Sequence, residues 1–454
     1  MSRDAAPSPL PTRDHCLAPG READPVGGYG RMFDRLPALT AGEAFFAEQG
    51  TAAVRGTSSL FRHDEDAQAA DDDLPAAGWP VFAQFLAHDL TADRSGLTSH
   101  AALEDLSNAR APRLDLECVY GSGPADRPYL VQRDAPSRML LGGSEGAPDL
   151  PRNSEGVALV GDPRNDVHAL ISQLHVWMLT AHNALESRAE TDGVPAGRRF
   201  AVAQQQLRWH HQWVVLHEFL DLTVGPELAA AVRDGGERAF RPGAALLLPV
   251  EFADAAFRYG HGQVRERYRL QPGGEPRRLF PDLVGFRPIG DRSVDPGLLF
   301  DLPGRARSPQ RVKRLDGRLA ASLIRLPLEV TGALDQEHHQ SLAVRDLQRG
   351  LATGLPSGEA VARELGVEPL RPDQVGVAEH GWVGETPLWY YVLKEAEVCA
   401  AGRHLGPVGG RIVAEVLTAV VERDPTSYLA VEPGWSPPTA RDGRFGLGDL
   451  LTLS

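Results

Sequence analysis

Three side chains in one short apolar stretch, FAQFLAHDLTAD at residues 82–93, have the types and the spacing to do chemistry. Gln84 and His88 are four residues apart, so on a helix they share one face. Asp89 follows directly, about 100° further around the helix, and therefore points elsewhere. A histidine and a glutamine on one helical face can line a pocket together. The alternative is a core histidine that has one hydrogen-bond partner.

A second candidate lies in GDPRND, residues 161–166, where a turn runs into a helical pattern. Arg164 would sit near the start of that helix, where a cation gains nothing from the helix dipole. Some other group must then hold the guanidinium in place. The alternative is an ordinary surface arginine.

A third candidate is AAFRYGHGQ, residues 255–263, which ends a helical pattern with Arg258, Tyr259 and His261. The glycines on both sides of His261 would let a flat or bulky group approach the backbone. An imidazole presented in this way can be an axial ligand of a metal or of a haem iron. The alternative is a helix that merely ends in a histidine.

A fourth segment, VRDLQRGLATGLPSGEAVARELG at residues 344–366, supports the first three. It places Asp346 and Arg349 three positions apart. A turn at LPSG and a short helix that ends at Gly366 follow.

Helical patterns that must position these residues recur along most of the chain. They cover residues 80–91, 166–189, 198–222, 248–266, 386–401 and 409–422. Near the fifth pattern, Thr386 fits the cap position, Pro387 the first helical position and Gly402 the end. Strand-like alternation is scarce, and residues 269–310 are an irregular connection rich in Pro and Gly. These patterns predict a mainly α chain: one large helical domain with long irregular loops and little β structure.

The composition is that of a globular protein with an acidic balance. Its 454 residues carry 47 Lys and Arg against 61 Asp and Glu, a formal net charge of −14, so no nucleic-acid partner is expected. No apolar run has the length of a membrane span, and no signal-peptide pattern is seen, which predicts a cytoplasmic protein. Cys16, Cys118 and Cys399 are too few and too far apart for a disulfide framework. The composition of residues 1–30 predicts a flexible N-terminal arm.

Taken together and in this order, the four segments resemble the animal-type haem peroxidases, the superfamily of myeloperoxidase and lactoperoxidase, in its bacterial branch. The resemblance runs from about residue 27 to the C-terminal LGDLLTLS. The pieces that carry it are FAQFLAHDLT, PRLDLECVYGSG, LPRNSEGVALVGDPRND, QLHVWMLTAHNAL, WHHQWVVLHEFL, AAFRYGH, DLQRGLATGLPSG and TPLWYYVLKEAE. It implies one peroxidase domain over residues 31–454.

The resemblance implies a distal side of the haem formed by Gln84, His88 and Arg164. His88 would take a proton from the near oxygen of hydrogen peroxide and return it to the far one. Arg164 would stabilise the negative charge that builds as the O–O bond breaks. Gln84 would help to hold halide and water near the iron.

On the proximal side, the resemblance implies that His261 is the axial ligand of the haem iron. Asp346 stands where the family has an asparagine that holds the other ring nitrogen. A carboxylate there would give the imidazole more anionic character and favour the oxidised states of the iron. Arg258 and Arg349 match the arginines that hold the haem propionates.

A calcium site beside the distal helix is also implied. Asp89 matches the family's calcium aspartate, and Asp115 matches a second ligand. Glu117 replaces a hydroxyl or a short carboxylate, and Arg113 would offer only its backbone carbonyl. Ala111 stands in place of the usual threonine and removes one side-chain ligand.

Departures from the family pattern concern the attachment of the haem and the class of reaction. Mammalian members link haem through ester bonds from an aspartate and a glutamate, whose positions are Ala87 and Val167 here. We therefore expect haem b bound non-covalently, and no oxidation of chloride. Arg258 stands where the fatty-acid oxygenases of the superfamily carry a radical-forming tyrosine. Tyr259, one residue away, would face elsewhere, which favours peroxidase chemistry.

The implied function is that of a haem peroxidase. Hydrogen peroxide would form a ferryl haem that oxidises small phenols, amines or a halide such as iodide, with a role in the response to oxidative stress. One alternative is an oxygenase or peroxygenase that acts on a lipid or a biosynthetic intermediate, with residues 269–310 shaping its pocket. Another is a haem-binding protein without turnover. The sequence leaves the oligomeric state open.

Overall fold

A computed structural model describes most of the chain: residues 27–57, 60–61, 73–92, 103, 106–144, 147–305, 308–332, 336–438, 440 and 444–453. The predicted N-terminal arm lies outside these residues except for its last four, which form a strand. Nearly all of the acidic run at residues 63–73 also lies outside them.

Helices make up most of the described chain. They are α1 (Glu43–Arg55), α2 (Trp79–Leu90), α3 (Glu117–Tyr120), α4 (Ala169–Thr191), α5 (Ala196–Val214), α6 (Leu220–Val224), α7 (Pro226–Arg233), α8 (Val250–Ala253), α9 (Ala321–Ile324), α10 (Leu328–Thr331), α11 (Leu342–Ala352), α12 (Gly358–Glu364), α13 (Pro372–Val375), α14 (Leu388–Ala400), α15 (Pro407–Glu422), α16 (Tyr428–Val431) and α17 (Leu447–Leu451). A π-helical turn, Val215–Phe219, joins α5 to α6. None of the helices described is both long and apolar enough to cross a lipid bilayer.

The strands are short. They are β1 (Gly27–Gly30), β2 (Ser107–Asn108), β3 (Gly142–Ser144), β4 (Ala147–Asp149), β5 (Leu248–Pro249), β6 (Arg267–Tyr268) and β7 (Arg277–Arg278). β1 pairs antiparallel with β2 and parallel with β5, in a register that places Tyr29 opposite Leu248. β3 pairs with β4 and β6 with β7, both antiparallel. The prediction of a mainly α chain with little β structure is confirmed.

The helix predicted at residues 248–266 is wrong. Residues Leu248–Pro249 form β5, α8 has a single turn, and Ala256–Gln263 is a 3₁₀ helix. Pro249 has no amide hydrogen and disfavours helical backbone at Leu248, so a helix cannot run from Leu248 through Pro249. Gly260 and Gly262 then disfavour a regular α-helix through the backbone entropy that they lose.

The cap predicted for α14 is also wrong. Pro387, not Thr386, occupies the N-cap position, and the side chain of this cap makes no hydrogen bond. The Thr386 hydroxyl instead donates to Oε1 of Glu359 at 2.7 Å. A partner from α12 has therefore displaced the local interaction that the sequence suggests.

α2 lies at the centre of the packing around the functional residues. It contacts α4 and the 3₁₀ helix Ala256–Gln263. Pro80 stands in its first turn, where no hydrogen bond is lost, and the Thr91 hydroxyl bonds the Ala87 carbonyl at 2.7 Å where it ends. Ten of its twelve residues are buried, which explains why the stretch reads as a core helix.

His211, on α5, lies fully buried between Phe82 and Phe85, with ring centroids 5.6 and 6.1 Å apart. Neither of its ring nitrogens has a hydrogen-bond partner in the part of the chain that the structure describes. Burial lowers the pKa of this imidazole to about 3. The neutral ring is thus a buried polar group that destabilises the fold.

We expect the substitution His211→Phe to raise the free energy of unfolding by about 1–3 kcal/mol at pH 8, since it removes unsatisfied polar atoms. This difference in the free energy of unfolding between His211→Phe and wild type should grow as the pH falls from about 6.5 towards 4. In that range the unfolded chain binds a proton at His211 while the folded chain does not, so acid destabilises the wild type more than the variant. Urea denaturation at pH 8 and pH 5 measures both effects. His380→Phe, in a partly exposed turn, is the control, and an unchanged pH dependence in His211→Phe would contradict the prediction.

Candidate active site

One cavity brings together side chains from the first three sequence segments. It holds about 1210 Å³ of atom-free space, part of it open to solvent. The polar and catalytically relevant residues of its lining are Gln84, His88, Thr91, Arg164, His168, Arg258, His261 and Tyr268. Most of the remaining lining is apolar. The predicted distal and proximal residues therefore share one space, and its largely apolar lining with a few polar groups is typical of a site for an organic ligand.

His261 is presented to the cavity by the 3₁₀ helix Ala256–Gln263 and is held from behind by Asp346. Nδ1 of the imidazole lies 2.6 Å from Oδ2 of Asp346, whose side chain is fully buried on α11. A carboxylate accepts, so Nδ1–H donates, and the Nε2 lone pair is left for a metal. The donor set of this residue pair therefore fits an axial ligand.

Arg258 and Arg349 have protein carboxylates as partners. Arg258 bonds Asp346 at 3.2 Å and Asp254 at 3.4 Å, and Arg349 lies 3.9 Å from the same Asp254. Arg258 lines the cavity, whereas Arg349 and Asp346 lie behind its wall. The predicted contact of both arginines with haem propionates stays a prediction, and Asp254 is a member of the cluster that the sequence analysis missed.

The two glycines beside His261 differ in their surroundings. A Cβ at Gly262 would meet Leu393 at 3.1 Å and Leu315 at 3.2 Å, and one at Gly260 would touch Ala83 at 3.9 Å. The prediction is wrong for Gly262, which allows close packing against Leu315 and Leu393, and it stays a prediction for Gly260, which itself lines the cavity.

His88 is held by an asparagine that the sequence analysis did not single out. Nδ1 of His88 lies 2.8 Å from Oδ1 of Asn165. The Asn165 amide nitrogen donates to Nδ1 of His175 at 3.0 Å and lies 3.5 Å from the Cys118 carbonyl oxygen, which fixes the orientation of the amide. Nδ1 of His88 must then carry the proton, and Nε2 is left as a proton acceptor.

Arg164 is held by Asp162, the residue that caps the turn Pro163–Asp166. Nε and Nη2 of Arg164 donate to the Asp162 carboxylate at 3.0 and 2.8 Å. Burial alone would raise the pKa of Asp162, but Arg164 and Arg110 hold it well below its usual range. Nη2 also bonds the carbonyls of His88 and Thr91. These carbonyls end α2, where the helix dipole favours a cation, so the dipole that matters for Arg164 is that of α2 and not of α4.

Gln84 has a histidine partner that the sequence analysis also missed. Its Oε1 lies 2.8 Å from Nε2 of His168, and both residues line the cavity. His168 is the N-cap of α4, and burial lowers its pKa to about 3. His168 directly precedes the apolar helical pattern of α4, and this position is the sequence signal of an N-cap. No local pattern indicated that Gln84 would be the hydrogen-bond partner of His168.

The residues predicted to bind calcium are brought together in part. The Asp89 carboxylate accepts the N–H groups of Leu116 and Cys118 at 2.8 and 3.1 Å. Burial and the nearby Asp115 raise the pKa of Asp89 to about 7. Glu117 turns away to an ion pair with Arg110.

The backbone near these residues also has hydrogen-bond partners. The Ala111 carbonyl accepts the Arg113 N–H at 2.8 Å. In the described part of the chain, no three His, Cys, Asp or Glu side chains converge as a metal site. Calcium binding stays a prediction.

An apolar wall closes the cavity on the side of the irregular loops. It is formed by Leu279, Phe280, Leu323, Leu326, Val330 and Leu342. The segment that carries Phe280 is fixed to the distal turn by backbone bonds from Ala169 to Leu283, Gly285 to Val167 and Phe286 to Asp166. Tyr259, by contrast, is buried away from the cavity, and its hydroxyl lies 3.0 Å from that of Thr223.

Comparisons with known proteins identify the family and the fold. The family model for the animal haem peroxidase matches residues 94–371. Peroxidase A from Dictyostelium discoideum has a similar structure, with a TM-score of 0.63 and 16% identity over 90% of this chain and 88% of that one. The fatty acid alpha-dioxygenase of Oryza sativa has a TM-score of 0.64 and 13% identity over 91% and 78% of the two chains.

A structure of that dioxygenase with palmitic acid gives a TM-score of 0.64 and 15% identity, over 86% of this chain and 75% of that one. At these identities the likeness concerns the fold. The search of curated proteins found no match. The family model covers well over half of the chain, including the segments that carry Arg164, His261 and Asp346. The protein therefore belongs to the animal haem peroxidase family.

Proposed function

We propose that the protein is a haem peroxidase that uses hydrogen peroxide to oxidise small organic molecules or halides. One observation carries the proposal: a single cavity is lined by His261, which offers a bare Nε2, and by His88, Gln84 and Arg164. A metal-ligating imidazole and a proton-accepting imidazole in one enclosed space are the groups that cleavage of peroxide requires.

The residues present fit haem b. Bound haem supplies an iron that activates peroxide and takes electrons from a substrate. His261 would hold the iron through Nε2, the apolar lining suits a porphyrin, and Arg258 is the cation of the lining that suits a propionate. Asp346 would give the His261 ring anionic character, moderated by its ion pair with Arg258.

On the distal side, the residues of the protein transfer a proton between the two oxygens of peroxide. Nε2 of His88 accepts a proton from one peroxide oxygen and returns it to the other, so that water can leave. Asn165 keeps the ring proton on Nδ1, whose hydrogen it accepts, so Nε2 is the unprotonated nitrogen. Arg164 is held in the lining of the same cavity by Asp162 and can stabilise negative charge there without rearranging.

A second candidate function, an oxygenase or peroxygenase acting on an apolar molecule, is favoured by the apolar wall. Leu279, Phe280 and Leu326 give the cavity a surface that suits a hydrocarbon or an aromatic ring. One of the similar structures is a fatty acid alpha-dioxygenase. Arg258 stands where such enzymes carry their radical-forming tyrosine, and the buried Tyr259 does not line the cavity, so we rank peroxidase first.

We also propose that the haem is bound without covalent links. Ala87 and Val167 both line the cavity, and neither side chain can form an ester. A calcium ion beside α2 is the second proposed cofactor, with Asp89 and Asp115 as its carboxylate ligands and backbone carbonyls as the rest. Hydrogen peroxide and a small-molecule reductant are the proposed partners in the reaction.

The test of the function compares wild type, His88→Leu and His261→Ala after loading with haem. Wild type should oxidise a chromogenic phenol when peroxide is added. His88→Leu should keep haem but react with peroxide about 10²–10⁴-fold more slowly in stopped-flow measurements, since the proton acceptor is lost. His261→Ala should bind haem more weakly in spectroscopic titrations.

His380→Leu, outside the cavity, serves as the control and should match wild type. Haem uptake by wild type without peroxide-driven turnover would overturn the peroxidase proposal and leave a haem-binding protein. Insertion of oxygen into an apolar substrate, found by mass spectrometry in the absence of phenol turnover, would favour the second candidate.

The attachment of the haem is tested by extraction with acidified organic solvent. All haem should leave the protein, because no ester bond holds it. Variants Ala87→Asp and Val167→Glu place carboxylates at the two positions, and retention of haem by these variants after treatment with peroxide would give the positive control. Retention by wild type would contradict the prediction.

Calcium binding is tested by thermal unfolding. A chelator should lower the melting temperature, and added calcium should restore it in a concentration-dependent way, since a ligand of the folded state stabilises that state. Asp115→Asn should remove most of this response, whereas Glu117→Gln should leave it, because Glu117 is paired with Arg110. An equal melting temperature of wild type with chelator and with calcium would disprove the site.

A further inference from the structure

We propose that His168 is a positioning residue that locks the Gln84 amide with its N–H₂ group towards the cavity. It thereby gives the cavity a preference for small anions that accept hydrogen bonds. This inference deepens the proposed function and rests on it for the presence of haem. The hydrogen bond between His168 and Gln84 can be measured without haem.

The first step is the protonation state of His168. As the N-cap of α4, it accepts the Ile171 N–H at its Nδ1, over 3.2 Å. A backbone N–H can only donate, so Nδ1 carries no hydrogen. The ring is neutral because burial opposes its charge, and the one ring proton must then be on Nε2.

The second step is the orientation of Gln84. Nε2–H of His168 donates over 2.8 Å, and only the oxygen of an amide can accept it. Oε1 of Gln84 is therefore turned to His168, and the amide nitrogen takes the other direction. Since Gln84 lines the cavity, its N–H groups are offered there.

The third step is the rigidity of His168 itself. Besides the cap, it forms an antiparallel bridge with Val284. Its ring meets Phe280, in the apolar wall, edge to face with centroids 6.3 Å apart. The backbone of His168 is thus fixed by the bridge and its imidazole by the Ile171 N–H and the Phe280 ring. Rotation of the Gln84 amide would break the bond between them without offering His168 a new acceptor.

The consequence is a fixed donor on the distal side of the cavity. An anion such as fluoride or azide gains a hydrogen bond there, and Arg164 adds a further polar group nearby. A neutral ligand without acceptor strength, such as carbon monoxide, gains much less. His168 therefore sets which small ligands the site prefers, through Gln84 and without contact of its own with them.

The experiment uses the haem-loaded full chain and measures the fluoride affinity of the ferric form from its visible spectrum. His168→Asn keeps a good N-cap but is too short to reach Gln84, so the variant should melt close to wild type. We expect its fluoride affinity to fall about tenfold, the effect of one lost oriented hydrogen bond. Carbon monoxide affinity of the ferrous form should change by less than threefold. His168→Phe keeps a ring of similar shape and should give the same fluoride result.

A double-mutant cycle separates this role from a structural one. In the Gln84→Leu background, His168→Asn should have almost no further effect on fluoride affinity, because it acts through Gln84. An unchanged affinity in the single His168 variants overturns the proposal. An equal loss in both backgrounds does so too, since it would mean that His168 acts independently of Gln84.

A measurement without haem keeps the two proposals distinguishable. In ¹⁵N NMR spectra of histidine-labelled protein, the Nε2–H signal of His168 should be protected from exchange in wild type and lost or exposed in Gln84→Leu. Wild type that takes up no haem, with this signal present, contradicts the proposed function alone. A His168 ring that carries its proton on Nδ1 contradicts the inference whatever the haem result.

Discussion

The buried ion pair between Asp162 and Arg164 is the interaction on which the distal side of the cavity depends. Two charges in the interior cost several kcal/mol unless further hydrogen bonds satisfy them. Here Asp162 also accepts the backbone N–H of Arg164 and pairs with Arg110, while Arg164 bonds the carbonyls that end α2. The pair thereby ties the turn at Pro163–Asp166 to the helix that carries His88.

The same turn holds α2 by its other side chains. Asn165 fixes the ring proton of His88 on Nδ1, and His168 fixes the orientation of the Gln84 amide. Asp166 anchors the turn from outside through Arg152. The polar face of α2 is therefore oriented by one short stretch of chain, and the functional side chains keep their directions although the rest of α2 is packed in an apolar core.

Local patterns in the sequence predicted what is local in the structure. The four-residue spacing of Gln84 and His88 was enough to place both on one face, and both line the cavity. The divergence of Asp89 was equally predictable, and its carboxylate bonds the backbone before α3 instead. The partners Asn165 and His168 were not predictable from the chain, because 77 and 84 residues separate them from the side chains that they hold.

Where local patterns failed, a tertiary contact or a backbone restriction had overridden them. The apolar periodicity of residues 248–266 is real, but Pro249 and the glycines around His261 divide it into a strand, one helical turn and a 3₁₀ helix. On this 3₁₀ helix His261 lines the cavity, whereas Tyr259 is buried on another side.

The charges around the cavity explain how a polar reaction can take place in a largely apolar space. Both arginines of the lining have carboxylate partners: Arg164 has Asp162, and Arg258 has Asp254 and Asp346. Compensated charges create little net field across the cavity, which suits the neutral peroxide and the apolar reductant of the proposed reaction. A peroxide that enters neutral would have to lose its proton inside the cavity, which is the role proposed for the unprotonated Nε2 of His88. The ion pairs thus compensate the charges of the two arginines, and Asn165 keeps His88 unprotonated at Nε2. Both features serve the same proposed step, the removal of a proton from peroxide.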